Sequence, residues 1–288
     1  MDIGIGLPNA VQGTTRNQLI DWAREAEQAG FSTLGTIDRI VYDSYESMVA
    51  LSAAAAVTER IRLATDVLLG PLRQNPALIA KQTLSLDALA GGGRTTLGIG
   101  LGGRDDDYEI SGVDTSIRGA WMDRALEQIR AIWNGDGELE SKVAPRPQGE
   151  GPMLLVGGYV EASLRRAARF GDGWTQGGAG PDAFSEDVQK LNQVWKEQGR
   201  EGKPRTMALV YFSLGPDAEE NAKRSLGSYY GYLGDEGAEG IIGSAAKDAD
   251  TVKGFISNFE GYGCDELIFF PCSSDPAQVR HLAEAAGL

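Results

Sequence analysis

Residues 61–112 read IRLATDVLLGP (61–71), QNPALIAKQTLSLDALAGGGR (74–94) and TTLGIGLGGRDDDYEISG (95–112). The first piece has the pattern of an apolar strand and the second that of an amphipathic helix. The third is another apolar strand that runs into a glycine-rich loop. Strands joined by a helix in this way lie parallel, so their carboxyl ends and the loops that follow share one side of the sheet. Ligands of α/β proteins bind on that side. Chemistry in this chain is therefore expected just after the strands, where Gly, Arg and Asp are concentrated.

The same alternation extends in both directions. Strands are expected at 3–7, 33–37, 61–67, 95–99, 153–156, 173–176, 206–214 and 266–270. Helices are expected at 16–28, 47–57, 75–89, 117–133, 161–170 and 182–198, in segments within 218–262, and at 276–286. Near-continuous apolar runs such as LIFF at 267–270 are what a sheet covered on both faces requires. Eight strand–helix units without a break in composition predict one (β/α)8 TIM barrel over 1–288. Residues 135–151 and 229–245 read as insertions after the fourth and seventh strands, the second as a lid.

The 27 basic and 41 acidic side chains give a net charge of −14, which argues against nucleic acid or an anionic membrane as partner. Cys264 and Cys272 have no zinc spacing and read as reduced thiols of a cytoplasmic protein. The opening MDIGIGLP lacks a basic leader and reads as a strand. No apolar run approaches the roughly 20 residues that cross a bilayer. The single histidine, His281, falls on the last helix, which excludes a Ser-His-Asp hydrolase and a histidine-based zinc site.

Several clusters compete for the chemistry. Gly98, Gly100 and Gly103 satisfy GxGxxG, but the pattern needs a helix opening at its third glycine. Here Arg104 and three aspartates follow, and the next expected helix starts more than ten residues later. A loop that lets a planar ring approach the backbone is the better reading. Asp105, Asp106 and Asp107 read as a solvated face, with no metal. In LLVGGYVEASLRRAA (154–168) a strand meets two glycines and then a helix, so free amides near Tyr159 and the Ser163 hydroxyl can hold a phosphate. An ordinary connection is the alternative. Asp38 and Arg39 end the second strand, where Arg39 is either an anion ligand or part of an ion pair. Asp66 ends the third strand, where a desolvated carboxyl can hydrogen-bond a ring or act as a base. Tyr42, Tyr45, Trp174, Tyr211 and Phe270 fall near strand ends as candidate walls of an apolar substrate pocket.

The stretch from AAAAVTERIRLATDVLLG (53–70) through LGIGLGGR (97–104), followed by MLLVGGYVEASLRRAARFGDGW (153–174), resembles the bacterial luciferase-like superfamily of flavin- and deazaflavin-dependent barrels. The resemblance implies FMN, or alternatively coenzyme F420, in the barrel mouth. It implies a non-proline cis peptide at Asp66-Val67 and ring contacts from Gly100, Gly102 and Asp106. It also implies a phosphate site from Val156, Gly157, Gly158, Tyr159, Val160 and Ser163. Many members carry Asp-His where this chain has Asp38-Arg39, which puts histidine-dependent proton transfer in doubt.

The expected function is accordingly a luciferase-like oxidoreductase acting on a small, partly apolar organic substrate. With reduced FMN it would be a monooxygenase served by a flavin reductase. With F420 it would be a hydride-transfer dehydrogenase or reductase. Arg39 and Asp66 are the candidate catalytic groups, and homodimers are common among similar proteins. A flavin-binding protein without turnover is a further alternative. A barrel aldolase needs a lysine at a strand end, and the expected strands contain none.

Overall fold

Apolar strands that bury both faces close on themselves here. The computed structural model describes residues 1–288. The strands β1 (Asp2–Gly6), β2 (Thr33–Thr36), β3 (Arg62–Leu69), β4 (Thr95–Gly100), β5 (Met153–Gly157), β6 (Gly173–Gln176), β7 (Arg205–Phe212) and β8 (Glu266–Pro271) form a closed parallel barrel in chain order. β8 pairs back onto β1, with Ile3 opposite Leu267. Around it run α1 (Arg16–Gln28), α2 (Ser47–Ala55), α3 (Pro76–Leu89), α4 (Asp105–Ile110), α5 (Arg118–Asn134), α6 (Glu161–Phe170) and α7 (Pro181–Glu197). They continue with α8 (Ala218–Tyr230), α9 (Gly234–Ser244), α10 (Ala249–Gly261) and α11 (Ala277–Ala286). No helix is long and apolar enough to cross a membrane.

Alternation along each strand divides the core. Leu34, Leu63, Leu97, Leu154, Trp174, Phe212, Leu267 and Phe269 face outward and join the helices in one large cluster. Ala64, Leu155, Met207, Leu209, Tyr211, Ile268 and Phe270 form a second cluster inside the barrel. Phe270 fits there because Gly6 and Gly35 face it, and a Cβ on either would overlap its ring. The amino-terminal end is closed by the first residues of four strands. Arg62 reaches Asp2 at 2.7 Å and Glu266 at 2.9 Å, while Arg205 reaches the same two at 3.0 and 3.1 Å.

Both expected insertions follow the fourth and seventh strands, and the structure gives each its side. Residues 135–151 connect α5 to β5, which puts them on the amino-terminal side, opposite the mouth. Arg146 pins that loop by donating to the carbonyls of Ile132 at 2.8 Å and Trp133 at 2.7 Å. On the mouth side, the addition after β4 is instead the short α4, which begins two residues after Gly103. Its three aspartates occupy the first turn, where the positive end of the helix dipole favours them. Residues 229–245 are mostly helical, as the end of α8 and all of α9.

Candidate active site

The mouth is shaped by an irregularity in β3. The Asp66-Val67 peptide is cis, where the resemblance implied it. The register of β3 on β4 slips between Thr65 and Leu68. A Cβ on Gly100 or Gly157 would lie 2.7 or 2.8 Å from the Val67 side chain, and one on Gly98 would overlap the Thr65 carbonyl. These glycines therefore exist to admit β3. Gly103 has nothing within 4 Å of a built Cβ, so it needs no such explanation. At Gly102 φ is +73°, a conformation that glycine adopts freely.

Arg39 and Asp107 form the best-bonded charge pair at the rim, and both are buried. Arg39 Nε donates to Asp107 Oδ2 at 2.9 Å, and Nη2 donates to the Val41 carbonyl at 2.7 Å. The guanidinium lies against the rings of both Tyr42 and Tyr229, 5.1 and 5.2 Å from their centroids. Asp107 also accepts the amides of Ile40 at 2.9 Å and Val41 at 2.6 Å. Of the two readings of Arg39, this geometry is that of an ion pair. The acidic run likewise divides: Asp107 is buried rather than solvated, whereas Asp106 is partly exposed and paired with Arg104 at 2.5 Å. Asp38 joins two elements, accepting the Leu69 amide at 2.9 Å and Arg73 at 2.8 Å. Burial, which outweighs Arg73, raises its pKa.

Asp66 has the opposite surroundings. It is 3% exposed, its Oδ1 accepts the Thr175 hydroxyl at 2.7 Å, and its Oδ2 has no partner. Burial pushes its pKa up to about 7 against the pull of Thr175, and Glu266 adds to the rise.

In the turn after β5, expected from the sequence to be a phosphate cradle, β5 ends at Gly157 and α6 opens at Glu161. Gly158 takes φ +131° and faces Ser163, whose hydroxyl donates to the Val160 carbonyl at 2.6 Å. Val160 precedes α6 without a side-chain cap, so the first amides of that ten-residue helix keep no side-chain partner. Tyr159 and Val160 are exposed beside them. Val156, in contrast, points into the outer core.

The aromatic candidates separate. Trp174 is buried behind the cradle, stacked on Phe184 of α7, with its indole N–H donating to the Gly158 carbonyl at 2.8 Å. It supports the turn from the outer core. Tyr45 sits on the outer rim beside Asn9 and Thr14. Tyr42, Tyr211 and Phe270 remain at the mouth, and Tyr211 shares a 2.6 Å hydrogen bond with Tyr230. The end of α8 forms a roof. Arg39 and Arg104 both donate to the Tyr229 carbonyl, at 3.5 and 3.3 Å. Arg104 lies over Tyr232, 4.2 Å from its centroid. The cavity left among Leu7, Ile37, Tyr211, Tyr229 and Phe270 holds only about 10 Å³. A cleft of about 380 Å³ opens beside Tyr211, between Gly178, Pro181, Lys247 and Phe255.

Sequence reasoning missed Thr175, Asp107, Arg73, Arg104 and the roof tyrosines Tyr229 and Tyr230. Thr175 was accessible to it, since alternation with Trp174 turns Thr175 inward. Nothing local marks the others, whose partners lie up to 190 residues away.

Comparison with known proteins agrees with this architecture. Residues 1–257 match the family described as luciferase-like monooxygenase. A Mycobacterium tuberculosis protein described as uncharacterized is 36% identical over 212 residues, 63% of this chain and 72% of that one. An F420-dependent glucose-6-phosphate dehydrogenase from Kineococcus radiotolerans is 30% identical over 202 residues, 64% of this chain and 59% of the other. The solved structure of an F420-dependent secondary alcohol dehydrogenase superposes with a TM-score of 0.82 at 19% identity, covering 99% of this chain and 97% of that one. At that identity it shows the fold alone. With a family match over most of its length and a barrel to go with it, this chain belongs to the luciferase-like monooxygenase family.

Proposed function

We propose that the protein is an oxidoreductase that holds F420, or alternatively FMN, in the mouth of its barrel and acts on a small organic substrate. The observation that carries this reading is the pairing of the uncapped α6 amino terminus with the unpartnered, buried Asp66 Oδ2. One feature suits a phosphate and the other a polar ring edge. F420 takes first place because relatives at about 30% identity depend on it.

The residues present fit such a group. The amides opening α6 would take its phosphate, and the glycines at 157 and 158 keep side chains out of that space. Val67, wedged between Gly100 and Gly157, offers an apolar surface for a flat ring. When bound, the cofactor supplies two-electron exchange with the substrate, a chemistry no side chain provides. The chain itself orients the ring, excludes water beneath the roof and holds a proton at Asp66. Tyr42 and Tyr211 would form the substrate wall. Arg39, already saturated by Asp107 and Val41, acts by positioning the roof rather than by touching substrate.

Titration of the purified chain with oxidised and reduced F420, and separately with FMN, tests this reading by absorbance and fluorescence. Tight binding of F420 supports hydride transfer to or from a small molecule. Preference for reduced FMN moves the reading to monooxygenation with a partner reductase. Binding of neither sinks it.

A further inference from the structure

We infer that Asp66 is the hydrogen-bond donor of the mouth: its carboxyl group carries a proton and offers it from Oδ2 to an acceptor edge, a carbonyl or an anionic nitrogen, of the ring that occupies the site. The inference rests on the cofactor reading above and adds the ligand chemistry that the barrel floor selects.

Three observations converge on it. Asp66 stands on the inward face of β3, 3% exposed, and its Oδ2 is buried without any partner. Its one bond, from the Thr175 hydroxyl on β6, is satisfied at Oδ1 and leaves the other oxygen free. The charged or titratable groups that act with it are Glu266 on β8 and Tyr159 in the turn after β5, neither of them a cation. An ionised carboxylate in that position would be a buried charge without compensation. A neutral carboxyl group instead has one O–H in search of an acceptor. Burial, the largest influence, raises its pKa to about 7, so the neutral acid is the main form below that pH. A carboxylic acid kept neutral by an apolar site so that it can donate is an established arrangement in enzymes.

The consequence is selectivity. A ring presenting an acceptor or a negative edge to the floor gains a bond, and one presenting only C–H leaves the carboxyl unpaired. Once Asp66 ionises, the same contact becomes repulsive. Ligand affinity must therefore fall as pH rises through neutrality.

The test is calorimetric titration of the full chain with oxidised F420 and with FMN, from mildly acidic to mildly alkaline pH. Wild type, Asp66→Asn and Thr175→Val are compared. Asp66→Asn keeps an acceptor for Thr175 and presents an amide donor at every pH. Wild-type affinity should fall about tenfold per pH unit above the break. The ratio to Asp66→Asn cancels ionisation of the cofactors themselves. Thr175→Val, which removes the bond favouring the charged form, should move the break to higher pH, and it carries the test if Asp66→Asn fails to fold. Infrared difference spectra of the ligand-free protein should show a protonated-carboxyl band that titrates near neutrality and is missing in Asp66→Asn. Parallel pH profiles for wild type and Asp66→Asn, or absence of the band, overturn the role while binding stands. Failure of every variant to bind either cofactor overturns the cofactor reading and this role with it.

Discussion

Asp66 and Asp107 are both buried aspartates, and their neighbours separate their tasks. Asp107 faces the Arg39 guanidinium and two backbone amides, so its charge is matched where it forms. Removing Arg39 leaves the buried Asp107 carboxylate with two backbone amides and only the more distant Arg104, at 3.8 Å, as a cation. Arg39→Ala is therefore expected to cost about 3–5 kcal/mol in urea unfolding. A loss typical of a surface ion pair, below about 1 kcal/mol, would contradict the packing described. Asp66 has no cation, and its sign is opposite. Its folded pKa of about 7 lies above the ordinary aspartate value of 3.8, so the folded protein keeps a proton that the unfolded chain releases. That contribution is complete below the lower value and is lost as pH rises to the higher one. At 1.36 kcal/mol per pKa unit the loss is on the order of 4 kcal/mol. Wild type should accordingly lose stability between acidic and neutral pH relative to Asp66→Asn. Denaturation midpoints of the two proteins that track each other with pH would remove the raised pKa.

Among the elements, α6 decides the phosphate question. Placing valine at Gly158 is a poor probe, because φ +131° and the Ser163 hydroxyl, 2.9 Å from a built Cβ, would deform the turn itself. Ala162→Asp is cleaner. Ala162 is exposed in the first turn of α6, where an added carboxylate favours the helix dipole by about 0.3–1 kcal/mol but repels a phosphate at the same amides. Thermal stability should hold or rise while cofactor affinity drops tenfold or more, and unchanged affinity would move the phosphate elsewhere. This element was legible in the sequence because strand, glycine pair and helix are contiguous there. The strands were legible too, since apolar runs such as residues 267–270 record burial on both faces. Arg39 was not. Its two readings differ only in whether Asp107 and Tyr229 reach it, and chain spacing carries no trace of contacts 68 and 190 residues away. The run at 105–107 misled for a similar reason: one of three adjacent carboxylates turns inward to meet a cation from another loop. Glycines 98 and 100 were legible as important, but the chain β3 presses against them supplies the reason.

At the scale of the whole molecule, a barrel has two ends, and this one treats them differently. The amino-terminal end is sealed by interlocked charges on the first residues of four strands, which bind β1, β3, β7 and β8 to one another. The carboxyl-terminal end is covered by a segment held through two arginine contacts to one carbonyl and a tyrosine–tyrosine hydrogen bond. With the Tyr42 hydroxyl donating to Ser228 at 3.2 Å, the bonds that hold the roof are few. The void of about 10 Å³ among Leu7, Ile37, Tyr211, Tyr229 and Phe270 admits no ring, so a ligand seated directly under the roof requires the roof to move. Measured affinity is then the intrinsic affinity reduced by the fraction of molecules that are open. In stopped-flow mixing the observed association rate should level off as cofactor concentration rises, at a ceiling set by the unlatching of Tyr229. Arg104→Ala should raise that ceiling. A rate that climbs linearly without limit would mean that the door stands open.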